Sequence, residues 1–316
     1  MKNKQLSVIV PCYNEEQNLN KFFEVFESTF INSSIVIDYQ FIDDGSSDDT
    51  LQELKKIINK PTKNKVSVIS FSRNFGKEAG ILAGLNQSES DYYCIIDADL
   101  QQNPKYVLQM LNLLENDENI DVVACYQNKR KENKMHTFFK KVFYKLINKI
   151  SEVEFYENAS DFRTFRKKVR DAILDLNENN RFSKGLFSWV GFETFYMPYE
   201  VLERQAGDST WSFFKLFNYA LDGFFGYSTT PLRFATFWGT IVCMLSIIYF
   251  IAILTKRLIL TISISRYALI IFLILFLSGI HLLSIGIIGE YLARAYMELK
   301  NRPHYIIDKI YSNDRD

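Results

Sequence analysis

The chain has 316 residues, with 37 lysines and arginines against 37 aspartates and glutamates. That length allows a large core in one or two domains, and the balanced charge excludes the basic footprint of a nucleic-acid binder. The cysteines Cys12, Cys94, Cys125 and Cys243 show no CxxC spacing, which argues against metal or redox use and for buried thiols in a reducing compartment.

Along the first half, short β-branched or aromatic runs predict strands at "LSVIV" (6–10), "IVIDYQFI" (35–42), "VSVISF" (66–71) and "YYCIID" (92–97). Helical stretches are expected between them, from Glu15 to Ser28, Asp48 to Asn59 and Lys77 to Asn86. Asn103-Pro104 opens another helix, with Asn as N-cap and Pro in the first turn. This alternation predicts an α/β fold with a mostly parallel central sheet covered on both faces. A polar cluster follows each strand in turn: "PCYNEE", "DDGSSDDT", "SRNFGKEAG" and "DADLQQNP". In a parallel sheet these clusters share the carboxyl edge, where open α/β folds bind ligands. Neither GxGxxG nor GxxxxGK[ST] is present, so the cleft is not an ordinary NAD or ATP site.

Asp97 and Asp99 stand where the fourth strand leaves the sheet, in a turn able to aim both carboxylates at one point. Mg²⁺ or Mn²⁺ takes one or two protein carboxylates and completes its shell with water and substrate phosphates. The same spacing in Asp314 and Asp316 belongs to a solvated terminus. Asp44 and Ser46 read as turn and capping chemistry.

Further on, residues 234–255 and 267–289 are two runs free of formal charge, each about 30 Å long as a helix. With the short linker "KRLILTISISR" they predict a transmembrane hairpin. Lys215, Arg233, Arg294, Lys300, Arg302 and Lys309 flank its ends, against Lys256, Arg257 and Arg266 in the linker, which favours cytoplasmic ends. The N-terminus has too short an apolar core for a signal peptide. The expected organisation is a cytoplasmic catalytic domain (1–210), an amphipathic interfacial junction (211–233), two membrane helices (234–289) and a cytoplasmic tail (290–316). In the junction Trp211, Phe213, Phe214, Phe217, Phe224 and Phe225 suit headgroup depth, or packing of the soluble domain on the anchor.

With "VIVPCYNEE", "IDDGSSDDT", "SRNFGKEAGILAG" and "IDADLQQNP" in order, residues 5 to about 130 resemble the inverting GT-A glycosyltransferases of family 2. "SDFRTFRKKVRDAI", "ERQAGDSTWSFFKLFNYALDGF", "TTPLRF" and "GEYLARAYMELKNRPHYII" extend the likeness over nearly the whole chain, to bacterial polyprenyl-phosphate (bactoprenol) glucosyltransferases and their dolichol-phosphate mannose synthase relatives. The resemblance implies that Pro11, Tyr13, Glu15 and Asp43 line the base and ribose pocket. It also implies that Arg73, Lys77, Asp97 and Gln101 bind the rest of the nucleotide sugar, with a divalent metal on Asp97 and Asp99. Lys77 opens a helix whose amides favour anions. Arg130, Arg163 and Arg204 match positions that gather the donor and acceptor phosphates, whose mutual repulsion needs cations. Arg233 either meets the acceptor phosphate or snorkels. Gln127 stands where relatives often carry arginine, and Thr210-Trp211 replaces their usual lysine and tyrosine. Asp161 belongs with Asp99 and Arg163 in the catalytic set. A phosphate acceptor arrives mostly ionised, its second pKa being about 6, so Asp161 acts as base, orienting group, metal ligand or partner of Arg163.

The implied activity is transfer of a hexose, UDP-glucose favoured, to polyprenyl (undecaprenyl) phosphate with inversion, at the cytoplasmic membrane and by a homo-oligomer, with a tetramer suggested by the nearest relatives. UDP-N-acetylglucosamine, UDP-galactose and GDP-mannose are alternative donors. A processive polysaccharide synthase would carry QxxRW, which is absent. A non-catalytic scaffold would be expected to lose Asp97, Asp99 or the arginines. Two spans make no transport pathway without several copies.

Overall fold

In the computed structural model the described residues are 4–127, 159–176, 181–200 and 266–313, with 156, 178, 237, 241, 244, 245 and 248. The first half alternates as its sequence predicts: β1 (Gln5–Cys12), α1 (Leu19–Phe30), β2 (Val36–Asp43), α2 (Thr50–Ile58), β3 (Lys65–Phe71), α3 (Lys77–Gln87), β4 (Tyr92–Ile95) and α4 (Lys105–Asn116). After these come β5 (Val122–Gln127), β6 (Ala159–Arg166), α5 (Lys167–Leu174), α6 (Ser183–Trp189), β7 (Thr194–Tyr199), the long α7 (Arg266–Leu299) and β8 (Ile307–Ser312).

One eight-stranded sheet runs in the order β7-β5-β6-β4-β1-β2-β3-β8. Strands β4, β1, β2 and β3 are mutually parallel, with Val8 opposite Tyr39 and Cys94, and Gln40 opposite Ser67. Outside them the pairing turns mixed: β6 is antiparallel to β4 and to β5, and β7 lies parallel to β5. A tight turn cannot join parallel neighbours, so each parallel step is bridged by a helix. Those helices cover both faces. Leu19, Phe22, Phe23, Phe26 and Phe30 form the apolar stripe of α1, which packs with Tyr39, Phe41 and residues of α2 and α4. On the other face α3 buries Ala79 to Leu85 without a break, beside Val169 of α5 and Phe187 of α6. Gly84 allows that approach, because a Cβ there would lie 2.6 Å from Ile9 Cγ2.

Helix α1 begins at Leu19 rather than near Glu15. The backbone N–H groups of Glu15 and Glu16 donate to Thr50 Oγ1 and Asp48 Oδ2, which holds "YNEE" against the β2–α2 loop. The N-cap of α4 is Pro104 rather than Asn103, whose side chain accepts from Lys105 N–H one residue ahead of it. Cys12, Cys94 and Cys125 are free and buried, and burial pushes the Cys94 thiol up to about 12.

The C-terminal segment supplies an element absent from the sequence reading. Strand β8 pairs antiparallel with β3, Ile69 opposite Ile310, and so covers an edge that would otherwise offer open backbone groups. Tyr305 stacks on Phe71 at 5.1 Å and its hydroxyl accepts from Asn86 Nδ2. The chain therefore returns to the central sheet after α7. Helix α7 contains the predicted span 267–289 and continues to Leu299; within it Phe276–Leu299 is long and apolar enough to cross a membrane. Ile274, Leu282, Ile285 and Leu292 stand exposed on it. No second such helix occurs among the described residues, and the predicted span 234–255 lies outside them apart from five positions.

Candidate active site

The four loops at the carboxyl ends of β1 to β4 are tied to one another by side chains from their own polar clusters. Asn14, whose φ of 57° puts it in the left-handed region that asparagine tolerates, donates its N–H to Ser46 Oγ and accepts from Ser47 N–H. Asp44 reaches the third loop, accepting from Phe75 N–H at 2.6 Å and Gly76 N–H at 2.9 Å. Gly45 is required at this junction: its φ is 65°, and a Cβ would meet the Arg73 carbonyl carbon at 2.5 Å. Asp44 is therefore the turn-former the sequence suggests.

The fourth loop holds the acidic pair. Strand β4 ends at Ile95, although Ile96 N–H still donates to the Ile9 carbonyl. Asp97 N–H then leaves the sheet for Gln102 Oε1, while Gln102 Nε2 returns to Asp97 Oδ2 at 3.1 Å. Asp99 Oδ1 accepts from Gln101 N–H, so Gln101 supports the turn through its backbone. Between them Leu100 is buried at a φ of 59°, a conformation costly for a side chain of its kind and kept only where surroundings enforce it.

Across from this turn lies β6. Its register with β4 sets Ile95 opposite Arg163, and the same antiparallel phase brings Asp161 toward Asp97. Lys77, the first residue of α3, joins the two: its Nζ lies 2.6 Å from Asp97 Oδ1 and 3.3 Å from Asp161 Oδ2. Lys77 keeps 36 % of its side chain exposed and Asp161 20 %, so this is a recessed cluster that opens to solvent. Burial opposes the Lys77 charge, yet Asp97 and Asp161 outweigh it and hold the ammonium above its ordinary range. Burial likewise opposes the charge on Asp161, but Lys77, Lys184 and Arg163 hold its carboxyl well below the usual carboxylate range. A carboxylate held so low is a weak base and a good orienting group. Its Oδ1 is buried and has no hydrogen-bond partner among the described residues.

Arg163 is buried two positions along the strand, with its guanidinium over the Phe187 ring at 4.1 Å and Nη2 donating to the Ser160 carbonyl. Arg73 is exposed, stacked on Phe75 and donating to the Asn74 carbonyl. Asp43 is buried, with Oδ1 accepting from Ser46 N–H and Oδ2 from Ser70 Oγ. Pro11 sits in β1 opposite Ile42, and Tyr13 is 44 % exposed at the edge. Glu15 accepts from Asn18 Nδ2. The half-buried Gln127 donates to the Tyr199 hydroxyl at 3.4 Å. Arg130, Arg204, Arg233 and the segment 211–233 lie outside the described residues.

Three residues at the site escape the sequence reading. Lys184 lies on α6 close to Asp161; burial pushes its pKa down, against the pull of Asp161. Glu78 accepts from Ser183 N–H and Oγ, while burial and Asp161 push its carboxyl up. Gln102 positions Asp97. Glu78 and Gln102 lie inside "SRNFGKEAGILAG" and "IDADLQQNP", but neither stretch shows what they bond, and Lys184 lies in no quoted stretch.

The donor set suits a hard divalent cation. It offers carboxylate oxygens, one already gripping an ammonium, and a buried oxygen of Asp161 left unsatisfied. Among the described residues no three histidine, cysteine or acidic groups form a closed cage, so substrate oxygens would complete the shell.

The description "Glycosyl transferase family 2" fits residues 7–174. The chain is similar to the protein CsbB of Bacillus subtilis (strain 168), 42 % identical over 316 residues that cover 100 % of this chain and 95 % of that one. It is also 36 % identical, over 97 % of its length and 96 % of the relative's, to the uncharacterized glycosyltransferase sll0501 of Synechocystis sp. (strain ATCC 27184 / PCC 6803 / Kazusa). The SfII prophage-derived bactoprenol glucosyl transferase of Shigella flexneri is 36 % identical, with 96 % of this chain and 98 % of the relative covered. An edge of loops around an acidic turn, on a mixed α/β sheet whose sequence matches relatives from end to end, has one reading: the chain belongs to glycosyl transferase family 2.

Proposed function

We propose that the protein transfers a hexose, with UDP-glucose the favoured donor, to polyprenyl (undecaprenyl) phosphate with inversion. The observation that carries this reading is the meeting of Asp97 and Asp161 at the loop edge, in a chain similar over its length to a bactoprenol glucosyl transferase. The pyrimidine nucleotide lies along Pro11, Tyr13, Glu15 and Asp43, and its diphosphate faces Arg73, Lys77, Asp97 and Gln101. Asp97 and Asp99 hold Mg²⁺ or Mn²⁺, which when bound stabilises charge on the departing diphosphate. Arg130, Arg163, Arg204 and Arg233 gather the acceptor phosphate.

In the reaction an oxygen of the lipid phosphate forms a bond to the anomeric carbon from the face opposite the diphosphate. The carbon–oxygen bond to the diphosphate breaks and its electron pair leaves with the nucleotide. An α-linked donor thus gives a β-linked lipid phosphate. An ionised phosphate needs no base, which suits the depressed pKa of Asp161; its role is to orient the acceptor.

The catalytic part is 1–210, with 211–233 at the membrane surface, two spans at 234–255 and 267–289, and the tail 290–316 back on the cytoplasmic side. The apolar length of α7 and the return of β8 to the sheet support ends on one side. The active form is a homo-oligomer.

Nucleotide release by detergent-purified protein tests the reading, using a panel of nucleotide sugars with Mg²⁺ or Mn²⁺, with and without undecaprenyl phosphate. Release that needs one donor, the lipid and Asp99 is the expected result. Lipid-independent release would point to another acceptor or to hydrolysis, and none from any donor to a scaffold.

A further inference from the structure

The position of Lys77 has a consequence beyond phosphate binding, and it rests on the proposed metal site. Its ammonium stands 2.6 Å from Asp97 Oδ1, on a carboxylate that would ligate the metal, and also reaches Asp161 across the cleft. Two carboxylates this close repel unless a cation sits between them. An ammonium and a divalent ion cannot both occupy the same few ångströms without strong like-charge repulsion.

We propose that Lys77 is a resident cation that fills the metal's electrostatic place in the nucleotide-free enzyme and is exchanged for the metal when the donor binds. The exchange is local. Lys77 opens α3, directly after Gly76, so its side chain lies beside a helix start whose own N–H groups favour phosphate. A nucleotide diphosphate offers the ammonium new oxygens, which frees Asp97 Oδ1 and brings the metal's remaining ligands at the same moment. Metal alone must evict Lys77 without offering it an anion. Metal and nucleotide therefore enter as a linked pair, and the carboxylates stay neutralised in both states.

The test is Mn²⁺ binding to the full-length, detergent-purified protein, read from the electron paramagnetic resonance signal of free Mn²⁺, with and without UDP. Wild type is expected to bind Mn²⁺ weakly alone and strongly with UDP. Lys77→Met keeps an unbranched side chain but removes the charge. It should tighten Mn²⁺ binding without UDP by about tenfold or more and shrink the enhancement by UDP. Lys77→Arg keeps a cation and should stay within about threefold of wild type, since the charge rather than the exact side chain resists the metal. Mn²⁺ affinity without UDP unchanged or weaker in Lys77→Met would overturn the exchange while leaving the metal site intact. Equal tightening in both variants would do the same, by assigning the effect to lost packing. No Mn²⁺ uptake by any form, with or without UDP, would overturn the metal site itself and this inference with it.

Discussion

Two acidic pairs stand at the same edge of the same sheet, Asp43-Asp44 after β2 and Asp97/Asp99 after β4, and they behave differently. Asp43 and Asp44 are buried and their oxygens are taken up by Ser46 N–H, Ser70 Oγ, Phe75 N–H and Gly76 N–H. The Asp97/Asp99 turn braces itself through Asp97 Oδ2 and Asp99 Oδ1 and gives Asp97 Oδ1 to Lys77, a flexible cation. A carboxylate such as Asp43 or Asp44, with both oxygens taken up by backbone N–H groups or a core hydroxyl, is fixed by the fold and builds it. One held by a lysine can exchange partners. Carboxylates at a strand's end are thus sorted into scaffold and site by what they bond, which residue type and spacing do not reveal.

That contrast is most directly broken by exchanging one member of each pair. Asp99→Asn should reduce transfer by about a thousandfold or more, a loss of about 4 kcal/mol of transition-state stabilisation, with melting temperature almost unchanged. Initial rates with the preferred donor, beside thermal unfolding, check both halves. Asp44→Ala should show the opposite profile. It strands two backbone N–H groups and should cost about 2–4 kcal/mol in denaturant unfolding, while protein that remains folded keeps most of its activity. Equal activity losses from the two would erase the distinction. Gly45→Ala, next to Asp44, should destabilise by about 1–3 kcal/mol in the same assay, because its φ is positive and its Cβ would enter the Arg73 backbone.

The scaffold was more legible than the site. Each parallel strand announces itself as an apolar run ending in a polar cluster, so β1 to β4 and their shared edge follow from the pattern alone. The antiparallel additions do not. In β8 the sequence "IDKIYS" is mostly exposed and alternates too weakly to mark a strand, and only its partner β3 makes it one. At the site, Asp97 and Asp99 stand out by position, whereas the approach of Asp161 depends on the β4/β6 register, which no local pattern encodes. Lys184 and Glu78 act through packing of α6 against the start of α3 and have no signature of their own. The family likeness implies a pocket-lining Asp43, and its bonds to Ser46 and Ser70 give it a structural task as well.

Gln102 sharpens the comparison, because it is the scaffold-like member of the site loop. It accepts from Asp97 N–H and donates to Asp97 Oδ2, fixing the carboxylate that Lys77 holds from the other side. Gln102→Leu retains the bulk of a buried side chain and removes both bonds. Asp97 would then be aimed by Lys77 alone, and once that lysine moves to phosphate nothing in this loop would hold Oδ2. The expected loss in kcat/KM is about tenfold, the range typical of groups that orient a metal's ligands, with Mn²⁺ affinity in the presence of UDP falling in parallel. A loss as deep as that of Asp99→Asn would give Gln102 a direct part in the chemistry. No loss at all would mean that the turn built around Leu100 is rigid enough to aim Asp97 by itself.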